Sequence, residues 1–427
     1  MKVGIAGLGT VGVGVFKILQ NNSGLIQSRT NDELVVSAVS SRDKNKDRGI
    51  NTDNVKWYDN CLDMVNDDDI DIIIELIGGS SGVAYELCKA ALSRKKHVVT
   101  ANKALIATYG HELSLLAEEN NVSLKFEASV AGGVPIVKAV MEGLAANNIN
   151  KISGILNGTC NYILTAMYCE RRQFDDVLEE AQQKGYAETP PDLDIEGTDT
   201  AHKLAILTSL AYGTKVNLDA VFVEGIKNIS LDDIDYAHEM EYSIKLLGIA
   251  NKTDNGIEQR VHPCLIPHSC QVSSANWVLN AIQVECDYLG NAYFSGAGAG
   301  EGATASSVVA DLMDIAVNRT SNPFGYKTSD MVEGKFLTID QHEGEYYIRS
   351  KVKNVAGVLS SITSILSEND ISAEKVLQKP DALNNNISNI AFTTNKTFEY
   401  KIIEVLEKIE KMGYVLEKPH MIRIEEI

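Results

Sequence analysis

The chain has no Cys-x-x-Cys pair among its seven cysteines, and their scatter argues against both a zinc ribbon and a disulfide framework. Reduced thiols in a cytoplasmic protein are the expectation. No apolar run is long enough to cross a bilayer, no low-complexity tract occurs, and glycines break the first apolar stretch before it could serve as a secretory signal. No membrane role is expected. Basic residues are in deficit, 39 Lys and Arg against 58 Asp and Glu, for a formal net charge of -19. This argues against a nonspecific nucleic-acid surface, so an anionic ligand must be held by a local basic cluster. At 427 residues, and with a prior of roughly 150 residues per domain, two or three domains are expected.

What is present starts at the second residue. Residues 2–12 read KVGIAGLGTVG, a short apolar strand running into Gly7-x-Gly9-x-x-Gly12. Gly7 permits the tight turn, Gly9 lets backbone approach a pyrophosphate, and Gly12 lets the next helix pack on the sheet. The N–H groups of that helix, from Thr10 and Val11 onward, then face the anion. Residues 33–39 read as a second strand, whose end discriminates a ribose hydroxyl from a 2′-phosphate. An NAD site usually places an acid there, whereas this chain has Ser40, Ser41 and Arg42 with Lys44 and Lys46 behind. That leans towards NADP. A solvated loop, basic by coincidence and interleaved with Asp43 and Asp47, is the other reading, and NAD stays open.

Further along, the β-branched run at 70–77 suits a strand buried on both faces and ends in Gly78-Gly79. Residues 97–100 form another strand, with Ala101-Asn102-Lys103 at the edge where open α/β sheets bind ligands. A glycine turn and Pro135 mark the exit from the nucleotide domain. Residues 150–157 open a second sheet, 162–169 and 175–185 are helical, 186–197 form an acidic loop, and 199–210 a long helix. A second glycine-rich turn at 296–302 opens a helix over 304–315, and 318–345 reads as a polar connector.

Five segments resemble the homoserine dehydrogenases in order and spacing across nearly the whole chain. They are TANKALI at 100–106, FEASVAGGVPI at 126–136, GILNGTCNYILTAM at 154–167, GYAE with DLDIEGTDTAHKLAIL within 185–207, and GAGAG at 296–300. The resemblance implies an α/β chain in three parts: a Rossmann-type dinucleotide-binding domain over 1–134, completed by about 296–320; an α+β catalytic and dimerisation domain over 135–295; and, after a connector at 321–345, a ferredoxin-like (βαββαβ) ACT domain over 346–427. It implies NAD(P)-dependent interconversion of L-homoserine and L-aspartate 4-semialdehyde, on the route to threonine and methionine, by a homodimer or larger assembly.

The chemistry needs one proton exchanged with the substrate oxygen while hydride moves to or from the nicotinamide. A lysine whose pKa is lowered by burial or by a second cation can do this, and two lysines at one site should depress each other. Alone, Lys203 on an apolar helix would snorkel to solvent, and its i, i+4 partner Asp199 would form a structural salt bridge with it. The resemblance instead assigns Lys203 as proton donor and acceptor, Lys103 beside nicotinamide and substrate oxygen, and Asp199 as their support. It implies cofactor contacts at Gly7, Gly9, Thr10, Val11, Gly12, Arg42, Gly78, Gly79, Lys103, Gly185 and Gly300, and substrate contacts at Glu188, Asp194, Asp199, Thr159 and Lys203. Thr159 could equally be a helix N-cap. It also implies a monovalent cation, sodium, on Glu127 and the carbonyls of Val130, Gly132 and Val134, a donor set that suits a hard ion.

In the tail, the ACT pattern usually has Asp and Pro before the glycine of its first loop, where Asn354 and Ala356 stand before Gly357. Threonine as effector is implied, with a pairing tail that binds nothing as the other reading. Two rival functions remain open at this stage: an acylating semialdehyde dehydrogenase with Cys160 as nucleophile, and a non-catalytic, amino-acid-responsive regulator.

Overall fold

A computed structural model describes residues 1–381 and 384–427. Its first sheet is wholly parallel, with strands β1 (Lys2–Ala6), β2 (Val35–Ser40), β3 (Lys56–Tyr58), β4 (Ile72–Glu75), β5 (His97–Thr100) and β6 (Leu124–Lys125) in the order β3-β2-β1-β4-β5-β6. This is the doubly wound order of dinucleotide-binding folds, with its ligand crevice at the carboxyl ends of the strands. The isoleucine run makes β4 because it is covered on both sides: Ile72, Ile73 and Ile74 are all fully buried. The helix Glu301–Ala316 returns from the far end of the chain to pack on the helix Thr10–Asn21. Gly14 makes room for it, since a Cβ there would lie 2.7 Å from the Glu301 carbonyl, and Lys17 pairs with Glu301 at 2.7 Å.

The second sheet contains β7 (Ile149–Ile155), β8 (Phe222–Val223), β9 (Tyr242–Thr253), β10 (Gly256–Pro267), β11 (Leu279–Cys286), β12 (Gly290–Ala297), β13 (Glu343–Lys353), β14 (Ala373–Pro380), β15 (Ile387–Thr394), β16 (Thr397–Phe398) and β17 (His420–Ile424). Its main path is β12-β11-β7-β9-β10-β17-β13-β15-β14, with β8 beside β10 and β16 beside β13. The helices Gly158–Glu170 and Thr198–Tyr212 lie against it, contributing Ile163, Leu204 and Leu207 to the core.

Three sequence expectations change. The tail has the strand-helix-strand-strand-helix-strand order, with helices Val358–Glu368 and Glu399–Glu410, yet it does not stand apart. Its last strand, β17, runs parallel to β10 through Cys264–Arg423 and Leu265–Ile424, so tail and middle region share one sheet. Tyr347, Ile422 and Ile424 accordingly join the core of the middle region. The segment expected as a polar connector is packed: Phe324 is fully buried with its ring 5.1 Å from Phe126, and Glu118 accepts bonds from the Thr328 N–H and hydroxyl. The acidic loop at 186–197 contains a one-turn helix, Asp192–Ile195. Among the described residues no helix is long and apolar enough to cross a membrane.

Candidate active site

The nucleotide side of the site is bare backbone. Gly7 sits at φ 107°, where a Cβ would lie 2.5 Å from the Leu76 carbonyl, and Gly9 caps the helix Thr10–Asn21 with nothing within 4 Å of where its Cβ would be. A Cβ on Gly12 would meet the Gly7 carbonyl at 2.0 Å. Thr10 and Val11 form the first helical turn, so their N–H groups face the open crevice. Gly78, Gly79 and Gly300 adopt φ of 85°, 85° and 117° with open space beside each. Gly185, at φ 73° past the helix Phe174–Gln183, is likewise open. Arg42 is exposed, and the basic side chain that reaches the glycine turn is Arg48, which sequence reasoning missed. It donates to the carbonyls of Leu8 (3.0 Å), Lys46 (2.8 Å) and Asp43 (2.6 Å) and to Ser41 Oγ (3.0 Å), pinning the loop after β2.

Across the crevice, three charged side chains converge. Asp199 lies in the first turn of the helix Thr198–Tyr212, one turn before Lys203, and Lys103 begins the helix Lys103–Asn120, capped by Asn102 through the Leu105 N–H at 3.1 Å. Asp199 Oδ2 is 2.6 Å from Lys203 Nζ, and Oδ1 is 3.0 Å from Lys103 Nζ. Lys203 does not snorkel: its side chain is 12% exposed, and Nζ also donates to the Leu156 carbonyl at 2.6 Å. The expected mutual depression of the lysines fails for Lys103, whose pKa is raised because the Asp199 carboxylate stands between the two cations. Burial alone would raise Asp199, but the two ammonium groups hold it well below the usual carboxylate range.

One amide orders the acids. Asn157 Nδ2 donates to Asp194 Oδ1 at 2.8 Å and to Asp199 Oδ2 at 2.9 Å, while its Oδ1 accepts the Cys160 N–H at 2.8 Å and caps the helix Gly158–Glu170. Asn157 is therefore the N-cap, and Thr159 is not. The Thr159 hydroxyl donates to the Tyr186 carbonyl at 2.6 Å, tying down the acidic segment. The exposed Glu188 bonds through its backbone N–H to the Asp194 carboxylate, whose pKa is raised by burial and by the charge of Asp199. The Asn157 signal was in the sequence, as an Asn-Gly-Thr before a helix, but its two side-chain bonds depend on tertiary contact.

Cys160 is fully buried with Sγ donating to the Asp194 carbonyl at 3.2 Å, and burial pushes its thiol far above the ordinary range. A thiolate nucleophile is not available there, which removes the acylating reading. Behind the crevice, Glu127 accepts the N–H groups of Val137 (3.0 Å) and Lys138 (2.7 Å). Burial and the neighbouring Asp311 push its pKa up to about 7. The Gly132 carbonyl accepts the Ser307 hydroxyl at 2.7 Å and the Val134 carbonyl the Ile136 N–H at 2.8 Å. Val130 is buried in the same turn.

A doubly wound sheet with open glycines at its carboxyl edge, facing two half-buried lysines on a buried carboxylate, defines a nicotinamide-dinucleotide-dependent oxidoreductase acting on a CH–OH group. Family models described as "Homoserine dehydrogenase, NAD binding domain" and "Homoserine dehydrogenase" match residues 7–127 and 135–313. The chain belongs to the homoserine dehydrogenase family. It is 42% identical to the homoserine dehydrogenase of Helicobacter pylori over 100% of this chain and 99% of that one, and 37% identical to that of Bacillus subtilis over 100% and 98%. The crystal structure of a homoserine dehydrogenase from Thiobacillus denitrificans superposes with a TM-score of 0.93 at 40% identity, covering 100% of this chain and 98% of that one. A hyperthermophilic archaeal homoserine dehydrogenase in complex with NADPH matches at a TM-score of 0.64 and 28% identity, over 75% of this chain and 99% of that one.

Proposed function

We propose that the chain interconverts L-homoserine and L-aspartate 4-semialdehyde with NADP, NAD being the alternative cofactor, and that Lys203 exchanges the proton with the substrate oxygen. The observation that carries this is Asp199, whose two carboxylate oxygens are divided between Lys203 and Lys103 at the mouth of the dinucleotide crevice. The nicotinamide, when bound, supplies the hydride chemistry. Gly7, Gly9, Thr10, Val11, Gly12, Gly78, Gly79, Gly185 and Gly300 offer it backbone, and the absence of an acid at the end of β2, with Arg42, Lys44 and Arg48 nearby, favours the 2′-phosphate. Lys203 takes the hydroxyl proton in the oxidative direction and returns it in the reductive one. Lys103 orients the same oxygen. Asp194 touches no cation among the described residues and, with Glu188, accepts the substrate ammonium. The Thr159 hydroxyl holds the segment that carries both.

A monovalent cation, sodium, fits Glu127 and the carbonyls of Val130, Gly132 and Val134, because the buried Glu127 carboxylate has no ion-pair partner among the described residues, Lys138 being engaged with Asp311 and Asp314. Each carbonyl keeps a second lone pair. The tail has the element order of an ACT domain, and threonine is its proposed effector. Gly357, at φ 94° with open space beside it, supports a ligand-facing loop, whereas Asn354 already donates to the Asn385 carbonyl at 2.9 Å. A cytoplasmic homodimer completes the reading. Homoserine-dependent reduction of NADP at alkaline pH tests it. Lys203→Ala should lower kcat by roughly 10²–10⁴-fold with NADPH affinity unchanged. Full activity in that variant contradicts the assigned role, and no turnover in the unmodified chain would leave the regulator reading standing.

A further inference from the structure

Glu75, the last residue of β4, is a fully buried carboxylate that touches no Lys, Arg or His among the described residues. Elsewhere the buried carboxylates of Asp199, Asp233, Glu399 and Glu425 each meet a cation directly. Burying an unpaired charge is costly, and it persists only where donors satisfy it. Here they come from two separate strand ends. Glu75 Oε1 accepts the N–H groups of Ile77 (2.7 Å) and Gly78 (3.1 Å), and Oε2 accepts the Thr100 hydroxyl at 2.6 Å. Thr100 Oγ1 in turn accepts the Asn102 N–H at 2.9 Å. Asn102 Nδ2 donates to the Gly79 carbonyl at 2.7 Å, closing a ring of hydrogen bonds that runs from Glu75 through both loops and back. Asn102 also caps the helix whose first residue is Lys103.

We infer that Glu75 is a positioning residue, which locks the Ile77–Gly79 loop after β4 to the turn after β5 so that the cofactor-facing backbone and the Lys103 ammonium keep one register. This rests on the role given above to Lys103. A carboxylate suits the ring because every partner is a donor: an amide would either set its NH2 group against the Ile77 and Gly78 N–H groups, or keep its oxygen there and exchange the charge-assisted bond from the Thr100 hydroxyl for a neutral one with the hydroxyl turned to accept. Besides the β4–β5 pairing and the single Asn102–Gly79 bond, the Glu75 bonds are the links described between these two loops, so loosening them frees Lys103 relative to the loop without removing any group that touches substrate.

The test is a double-mutant cycle on the full-length enzyme, with kcat for homoserine oxidation and NADPH affinity by fluorescence as readouts. Glu75→Gln should lower kcat at least about tenfold, as small misplacements of a reacting group do, and weaken NADPH severalfold. In the Lys103→Ala background it should lower kcat no further while still weakening NADPH. Should Glu75→Gln fold poorly, Thr100→Val breaks the same ring at the hydroxyl and must show the same pattern. A kcat within twofold of the unmodified enzyme, or losses that multiply across the cycle, would overturn the role of Glu75. Full activity in Lys103→Ala alone is a different failure, since it removes Lys103 from the reaction and with it the path through which Glu75 acts.

Discussion

Among the buried ion networks of the described residues, the one at the tail seam and the one in the cleft differ in their principal cations. At the seam between the tail and the middle region, Arg423 of β17 forks onto Glu399 at 2.5 and 2.8 Å and reaches Glu224 at 2.8 Å, with its guanidinium 4.9 Å from the Phe222 ring. Beside it, Arg260 of β10 binds Glu425 at 2.5 Å and Glu258 at 3.2 Å. In the cleft, Asp199 meets two lysines instead. Guanidinium stays charged at every working pH and fits a carboxylate edge to edge, so it can only hold. Ammonium is compact and titratable, so it can also exchange a proton. Exposure follows the same division: the Arg423 side chain is 3% exposed and that of Lys103 39%. Arginines carry most of the seam, with Lys151 on Glu425 at 3.1 Å and His342 on Glu258 at 3.3 Å beside them, whereas the cleft, where a reactant can arrive, uses lysine alone.

Breaking the seam should have the largest effect on stability. Arg423→Met leaves the Glu399 carboxylate buried without its partner, and denaturant unfolding should show a loss of about 3–5 kcal/mol. The KM for homoserine should be unchanged in the protein that remains folded. A smaller effect, confined to the cleft, is expected for Asn157→Ser, which retains an N-cap oxygen but cannot bridge two carboxylates. Steady-state kinetics should then show a KM for homoserine raised by roughly tenfold, the cost of one charge-assisted hydrogen bond, with melting temperature and NADPH affinity little altered. If Arg423→Met damaged KM and Asn157→Ser damaged stability, the division between holding and reacting networks would be wrong.

How much of this could be read from residues alone follows the same line. The glycine turn at 7–12, the strand at 72–75 and the helix carrying Asp199 and Lys203 are local, so spacing and side-chain type suffice to place them. Lys103 and Lys203 came together only through the family resemblance, because 100 positions separate them in sequence and nothing in either segment alone names its partner. Arg48 and Asn157 were missed since their weight lies in bonds to distant backbone and carboxylates. The joining of β17 to β10 was not legible either: it is a backbone pairing of residues 264–265 with 423–424, and such pairing leaves no side-chain period to detect. The lowered lysine pKa failed as an expectation for Lys103 because counting two cations omitted the carboxylate between them.

That carboxylate is where the reading is most exposed. The pH dependence of kcat/KM for homoserine oxidation in Asp199→Asn measures it directly, because Asp199 is the leading cause of the raised Lys103 pKa. With the charge removed, the site should lose its hold on both ammonium groups. The rate should fall by at least about a hundredfold, and any limb of the profile that reports Lys103 should move to lower pH, since its raised pKa loses its leading cause. A variant with the original rate and an unmoved profile would show that Asp199 neither places the two lysines nor tunes Lys103, and would contradict the mechanism.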